Sequence, residues 1–478
     1  MTLKPIYHRY RSINQYLRFC IEAVLVTAAA YGLTNCIMPE LLELSSVFTV
    51  KGQEEYQISD FYNRIATTGG RIRKDGGQVV CLNYEGSSRA DVAELLNALV
   101  DVEDSASRPK VVALDFYFPA VKPNDDVLIR ALENCASKTR LVMPYIVKYN
   151  EDSTFTSDNS SYMNEMLAKN PDLNVSFGVI NLAGNYFTDV MRDFRYGFVL
   201  TDSAARVALR NNSHNCDSVM LSMPAEMAWQ KMLADGVVQC PRAVSDSCSG
   251  RVCHKMKALF KNSVHTNERN PNHVIINYKT DTVFVYGTNY LVDKALVDTC
   301  EQCRDKLEEI RDVIKGRAVI IGSLEDVKDT YITPLADLQA GVLVHAYGAD
   351  TILTGNYVSQ TARWVEILVA VLLCLVLIFF DSWATECADI AVNSIVRVTQ
   401  FLLMLILVWV GYLFFVYGDR YIDFNVAVVM LVSGVLTYDL YSGIVFLLKK
   451  FYSIFDRLYN SVARKCVARK SVIRKRHR

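Results

Sequence analysis

Four apolar runs constrain what this chain can fold into more than any other feature. Phe19 to Met38 is apolar but for Glu22, Thr27, Thr34 and Asn35, and Trp364 to Phe380 carries one acid, Glu366. Phe401 to Tyr417 carries no charge, and Val426 to Leu448 carries only Asp439. A bilayer core takes roughly 20 helical residues. The expectation is therefore four transmembrane helices, the second and third lengthened by flanking residues. The first run could be read as a cleaved signal peptide, but Asn35-Cys36-Ile37-Met38-Pro39 offers no small-x-small cleavage site. A retained anchor is expected.

Lys and Arg near the ends of the runs set the orientation. The first eighteen residues carry Lys4, Arg9, Arg11 and Arg18 and no acid. The last thirty, from Lys449, carry eleven Lys or Arg and one acid, Asp456. Both basic ends belong on the cytoplasmic face, which four crossings allow. The expected order is a cytoplasmic segment 1–18, a helix at 19–38, an extracytoplasmic domain at 39–362, three helices within 363–448 and a basic tail at 449–478. Gly418-Asp419-Arg420 is then a short outer turn. Net charge is zero, with the acidic surplus in the middle. That balance argues against nucleic acid, which needs a concentrated positive face. The tail, with Phe451, Tyr452 and Phe455 beside its basic residues, suits anionic lipid.

Residues 39–362 alternate β-branched runs with helical patterns. Gln78 to Leu82, Lys110 to Asp115, Leu141 to Ile146 and Arg317 to Gly322 read as strands. Asp91 to Val100 reads as a helix, as does Asp126 to Leu132, capped by Asn124 or Asp125. Val342 to Leu353 reads as an amphipathic helix. This pattern predicts an α/β domain on a mostly parallel sheet. Residues 150–175 read as a polar surface loop, and 210–216 with 239–268 as an insertion.

Chemistry is sparse. No phosphate-binding glycine loop follows a strand, and no Gly-x-Ser-x-Gly elbow occurs. Neither an enzyme nor a cofactor is expected. In parallel sheets the C-terminal strand edge is where ligands bind. Asp115, Asp125, Asp126 and Asp329 are therefore candidates for a shared signal-binding or structural site, and so is His345, an isolated histidine on an apolar helix face. Asp329 precedes a Thr–Pro turn that it would brace. Asp439, within an apolar run, is a candidate intramembrane polar site.

Eight cysteines fall in 39–362. Four of them, Cys216, Cys240, Cys248 and Cys253, crowd the insertion and are the candidate disulfide formers. Cys81 and Cys135 lie on apolar elements and read as buried thiols. Cys300-Glu301-Gln302-Cys303 spells C-x-x-C, but Asp298, Glu301 and Asp305 surround it, which works against a reactive thiolate.

One further set of residues resembles a known family. It comprises Asp115-Phe116-Tyr117-Phe118, the pair Phe177 to Leu182 and Phe194-Arg195-Tyr196, and then Gly316 to Gly322, Asp329 to Leu335 and Gly341 to Ala346. With the order of helix, large domain and three helices, these resemble the CHASE sensory domain of the second type, over roughly residues 41–450. The sequence departs at Asn83, where the family's first strand usually runs into acids. The resemblance implies a sensor in the inner membrane of a bacterial cell, with its large domain periplasmic. Since the chain stops about thirty residues after its last apolar run, no output domain is expected, and a separate protein in the envelope or cytoplasm would take the signal. A homo-oligomer is compatible with this. The second reading is a structural or assembly subunit of an envelope complex.

Overall fold

The computed structural model describes residues 15–32, 77–84, 86, 88–149, 155–157, 161–170, 172–182, 191, 193–195, 197–199, 219–238, 266–267, 270–278, 283–293, 300–334, 339–361, 363–387, 390–418 and 420–421. Asp439, the fourth apolar run, Cys216, Cys240, Cys248 and Cys253 lie outside them. The chain divides into two units.

The larger unit is built on six strands: β1 (Val79–Asn83), β2 (Val111–Leu114), β3 (Arg140–Tyr145), β4 (Val175–Val179), β5 (Phe284–Gly287) and β6 (Ala318–Gly322). They lie in the order β5-β1-β6-β2-β3-β4, and every neighbouring pair is parallel. The strands are short apolar runs because a parallel sheet is covered on both sides. Alternate residues enter two cores. Val80, Leu82, Val112, Leu114, Val319 and Ile321 face one layer of helices. Val79, Cys81, Val111, Ala113, Ala318 and Ile320 face the other.

The first layer holds α2 (Arg89–Val100), α3 (Asp125–Lys138), α4 (Tyr162–Ala168) and α6 (Glu301–Ile314). Ser88 opens α2 with a capping box, its hydroxyl accepting from the Asp91 N–H while the Asp91 carboxylate accepts from the Ser88 N–H. The side-chain cap expected for α3 is not made. Asn124 has a left-handed backbone (φ 66°), and the Asp125 carboxylate turns back to accept from the Lys122 N–H. The loop expected at 150–175 is also corrected. It contains α4, whose Met163, Asn164 and Leu167 are buried, and Phe155–Ser157, paired antiparallel with Val147–Tyr149. An element this short offers too few turns for helical periodicity to register.

The second layer holds α5 (Met223–Ala234) and α7 (Gly341–Thr354). The amphipathic helix expected at α7 is instead buried nearly all round, from Gly341 to Ile352. Its outer side is covered by a third cluster that includes Phe194, Trp229, Tyr278 and Val344. Helices α5 and α7 come close to the sheet through glycines. A Cβ at Gly178 in β4 would lie 2.8 Å from the Met223 Cα, and one at Gly322 would lie 2.6 Å from the Val342 Cγ2.

The smaller unit contains α1 (Gln15–Gly32), α8 (Arg363–Cys387) and most of α9 (Ile390–Gly418). Phe19, Ala23 and Val26 of α1 pack on Ala370, Cys374 and Ile378 of α8. Counting only described residues, no helix is long and apolar enough to cross a membrane. The described side chains of α8 run from Trp364 to Phe379, and those of α9 are continuous only from Leu405 to Gly418.

Gly178→Ala tests the tight layer. The methyl meets backbone, so the α5 start must shift, at a cost of about 1–3 kcal/mol. Gly287→Ala, with nothing within 4 Å of the new carbon, should leave the thermal midpoint nearly unchanged. Equal melting curves for the two variants would contradict this packing.

Candidate functional site

Strand β6 lies between β1 and β2, which sets up the site. The helices that follow β1 and β2 pack on one face, and the helix that follows β6 packs on the other. Chain connections therefore diverge at the C-terminal ends of these strands, the position at which parallel sheets open a crevice. Asp115 comes immediately after β2, its N–H donating to the Ile321 carbonyl at 2.8 Å. Asn83 ends β1, and its Oδ1 accepts from the Leu324 N–H at 2.9 Å, which braces the loop after β6.

Asp329 is brought to the same place by a two-residue ladder. Thr330 pairs with Ala340 and Tyr331 with Gln339, so Asp329 comes opposite Gly341, the first residue of α7. A Cβ on Gly341 would lie 2.4 Å from the Asp329 Oδ2. The carboxylate is thus pressed against the helix start, where unpaired N–H groups and the helix dipole favour negative charge. Ala340, the N-cap residue of α7, supplies no side-chain cap of its own. One turn further on, His345 points back to the strand ends, its Nε2 3.9 Å from the Asp115 Oδ1. Both side chains are at most 5% exposed, and the His345 Nδ1 has no well-formed hydrogen bond. At the other end of α7, the Asp350 Oδ1 accepts from the Gln78 N–H at 2.8 Å.

Burial governs the charges. It pushes the Asp115 carboxyl up to about 7 and the His345 imidazole down to about 4, against the opposing pull of Asp329 and a weaker contact with the Ile180 backbone. Asp329 is also raised, by burial first and by Asp115 second, with His345 and Tyr331 opposing. Beneath them the Cys81 thiol is raised by burial and by the Asp115 charge. Near pH 6 the cluster therefore holds a protonated Asp115 beside a neutral His345.

The expected set of aspartates divides into three. Asp115, Asp329 and His345 converge. Asp125 does not join them: it is buried with Arg89, whose guanidinium it pairs with, and accepts from the Tyr162 hydroxyl. Arg89 also lies over the Phe118 ring, 5.5 Å from its centre. Asp126 is exposed and pairs with Arg130 one turn on, a contact of small energetic weight. The Asp350 contact and the bracing role of Asn83 escaped the sequence reading, which marked Gly341 only as the start of the motif Gly341 to Ala346. Among the described residues, no group of three or more His, Cys, Asp or Glu is placed to hold a metal ion.

On the far side of β1 the same edge opens into a cleft of about 350 Å³, lined by Tyr84, Gly86, Asp91, Glu94, Leu95, Thr288, Asn289 and Val292. Burial and the Asp91 charge push the Tyr84 hydroxyl up to about 12, and the hydroxyl donates to the Ser88 carbonyl at 2.7 Å. The cleft lining thus carries two acids and no base.

The family described as "CHASE2 domain" matches residues 78–380, a span that includes the whole six-stranded sheet and the Asp115–Asp329–His345 cluster. No curated protein and no solved structure gives a significant match.

The opposed shifts give a pH test. His345, depressed in the folded chain, adds stability above about pH 6.5 that is lost as pH falls towards 4. Asp115, raised, adds stability below about pH 4 that is lost as pH rises towards 7. Between these limits the folded chain keeps on Asp115 the proton that the unfolded chain keeps on His345, so the pair gives little net slope. His345→Gln should make stability fall with rising pH relative to wild type, and Asp115→Asn should make it rise, each by at most about 1.4 kcal/mol per pH unit. Denaturant melts between pH 4.5 and 6.5 measure both, and slopes of the same sign would refute the assignment.

Proposed function

The chain belongs to the CHASE2 domain family, a family of sensory domains, and we propose that it is a membrane-anchored sensor. In this reading the α/β unit lies outside the cell membrane and detects a signal at the C-terminal edge of its sheet. The signal passes through the membrane helices to a separate protein. The chain performs no catalysis of its own.

The observation that carries the membrane part is where the apolar side chains point. On α8, Trp364, Leu368, Leu372, Val376 and Phe379 are exposed, and so are Leu402, Leu405, Ile406 and Trp409 on α9 and Leu17, Val24 and Leu25 on α1. Helices of a water-soluble protein turn this kind of face inward. Lipid is the solvent that suits an apolar outer face. The short pairing of Ser359–Gln360 with Arg420–Tyr421 supports the topology. It joins the residues before α8 to those after α9, as two crossings in opposite senses require. Phe19 to Met38 and Val426 to Leu448 supply the other two spans, with the N-terminus and the basic tail inside.

The sensing part rests on the cluster under α7. An edge that holds two carboxyls and an imidazole away from water has alternative protonation and contact states close in energy. Helix α7 roofs that edge, and residues 355–362 connect it to α8. The neighbouring cleft is where a small ligand would enter.

Topology decides the first half. Reporter fusions at residue 5, near 390 and at the C-terminus should score cytoplasmic, and one near 200 should score outside. A cytoplasmic score at 200 would end this reading. For the second half, the partner is captured by crosslinking at the basic tail in cells. A complex that is stoichiometric under all conditions would favour an assembly subunit. One that changes with conditions, and stops changing in Asp115→Asn, favours the sensor.

A further inference from the structure

We propose that Cys300 and Cys303 form a thiol–disulfide exchange site, open to small thiols and disulfides of the glutathione type. The two are bonded to each other in the structure, across a separation of three residues. Three observations set them apart from a structural staple. First, stabilisation by a disulfide grows with the length of the loop it closes, and this loop is among the shortest possible. Second, the pair opens α6, a fourteen-residue helix. Cys300 is its N-cap residue, and its sulfur accepts from the Cys303 N–H at 3.2 Å. A thiolate released there meets the positive end of the helix and an N–H already aimed at it. Third, both cysteines are partly exposed, whereas Cys81 and Cys135 of the same unit are buried and free.

Of the acids that argued against reactivity, Glu301 and Asp305 are solvent-exposed and therefore screened, and Arg304 lies between them on the same turns; Asp298 lies outside the described residues. The direct N–H contact to the Cys300 sulfur is not screened in this way.

The chemistry balances with a disulfide as co-reactant. In the reduced pair, the Cys300 thiolate attacks one sulfur of oxidised glutathione. That S–S bond breaks, one glutathione leaves as thiolate and takes up a proton, and a mixed disulfide remains on Cys300. Cys303 then loses its proton and attacks the Cys300 sulfur, and the second glutathione leaves as a thiol. Two cysteine thiols are oxidised and one disulfide becomes two thiols. Excess reduced glutathione runs the exchange backwards. The site would give the domain a sensitivity to thiol redox state that does not depend on the sensor reading above.

The test uses the full-length protein in detergent, equilibrated with reduced and oxidised glutathione at graded ratios, quenched, and labelled with a maleimide mass tag. Two tags per chain should appear together as the buffer becomes more reducing, while the protein stays folded. That step should be absent when Cys300→Ser and Cys303→Ser are combined. Cys303→Ser alone should trap glutathione on Cys300, and more of it than Cys300→Ser traps on Cys303. If the pair stays oxidised in every glutathione buffer and opens only on unfolding, it is a structural bond and the proposal fails. If both thiols are labelled even in the most oxidising buffer, the proposal fails as well.

Discussion

A parallel sheet cannot leave a face in water, and much of this domain follows from meeting that requirement. Six strands of short apolar residues need a helical layer on each side. One layer comes from the helices after β1, β2 and β3, which read out in simple sequence order. The other rests largely on α5 and α7, so α7 has to be apolar on its sheet side and covered on its outer side too. A helix enclosed in this way needs its ends satisfied from within the protein. At its start the Asp329 carboxylate lies against Gly341, and Asp350 ties its last turns to the residue before β1. The buried charges at the site are thus a consequence of where α7 must lie.

That origin also explains how the cluster can respond to its surroundings. Burial favours the acid form of Asp115 and of Asp329 and the neutral form of His345, while the charges of Asp329 and His345 each favour ionisation of the other. A change of charge on one of the three shifts the preferred state of the others through a short path in a medium of low dielectric. The Arg89–Asp125–Tyr162 group is built differently. There a full cation meets the carboxylate, and the Ala120 carbonyl and the Phe118 ring also engage the guanidinium. Its paired charges make it a brace between α2, α3 and α4.

The sheet was legible in the sequence because buried parallel strands are continuous apolar runs, and the runs at 78–82, 110–115, 141–146 and 317–322 each became a strand. Strands β4 and β5 were not foreseen. Phe284 to Gly287 is an edge strand with Val285 exposed, so its pattern does not stand out from a loop. Helix α7 was placed correctly but read as amphipathic, because its covering layer comes from Phe194, Trp229 and Tyr278, far away in sequence. The same limit applied to the site. Asp115 and His345 could be singled out by residue type and element, but separating Asp125 from them required knowing that Arg89 lies across from it.

The two kinds of cysteine show how place decides chemistry for one residue type. Cys81 lies on β1, an inner strand, near Asp115, where burial and a neighbouring negative charge both oppose a thiolate. Cys135, on α3, is pushed up to about 12 mainly by burial. Neither can exchange with a solute without opening the core. At the start of α6 the same side chain meets a helix end, partial exposure and a second sulfur within reach. Composition alone makes no such distinction among thirteen cysteines. The fold makes it by placing two of them, partly exposed, at the start of a helix, where the Cys303 N–H already reaches the Cys300 sulfur.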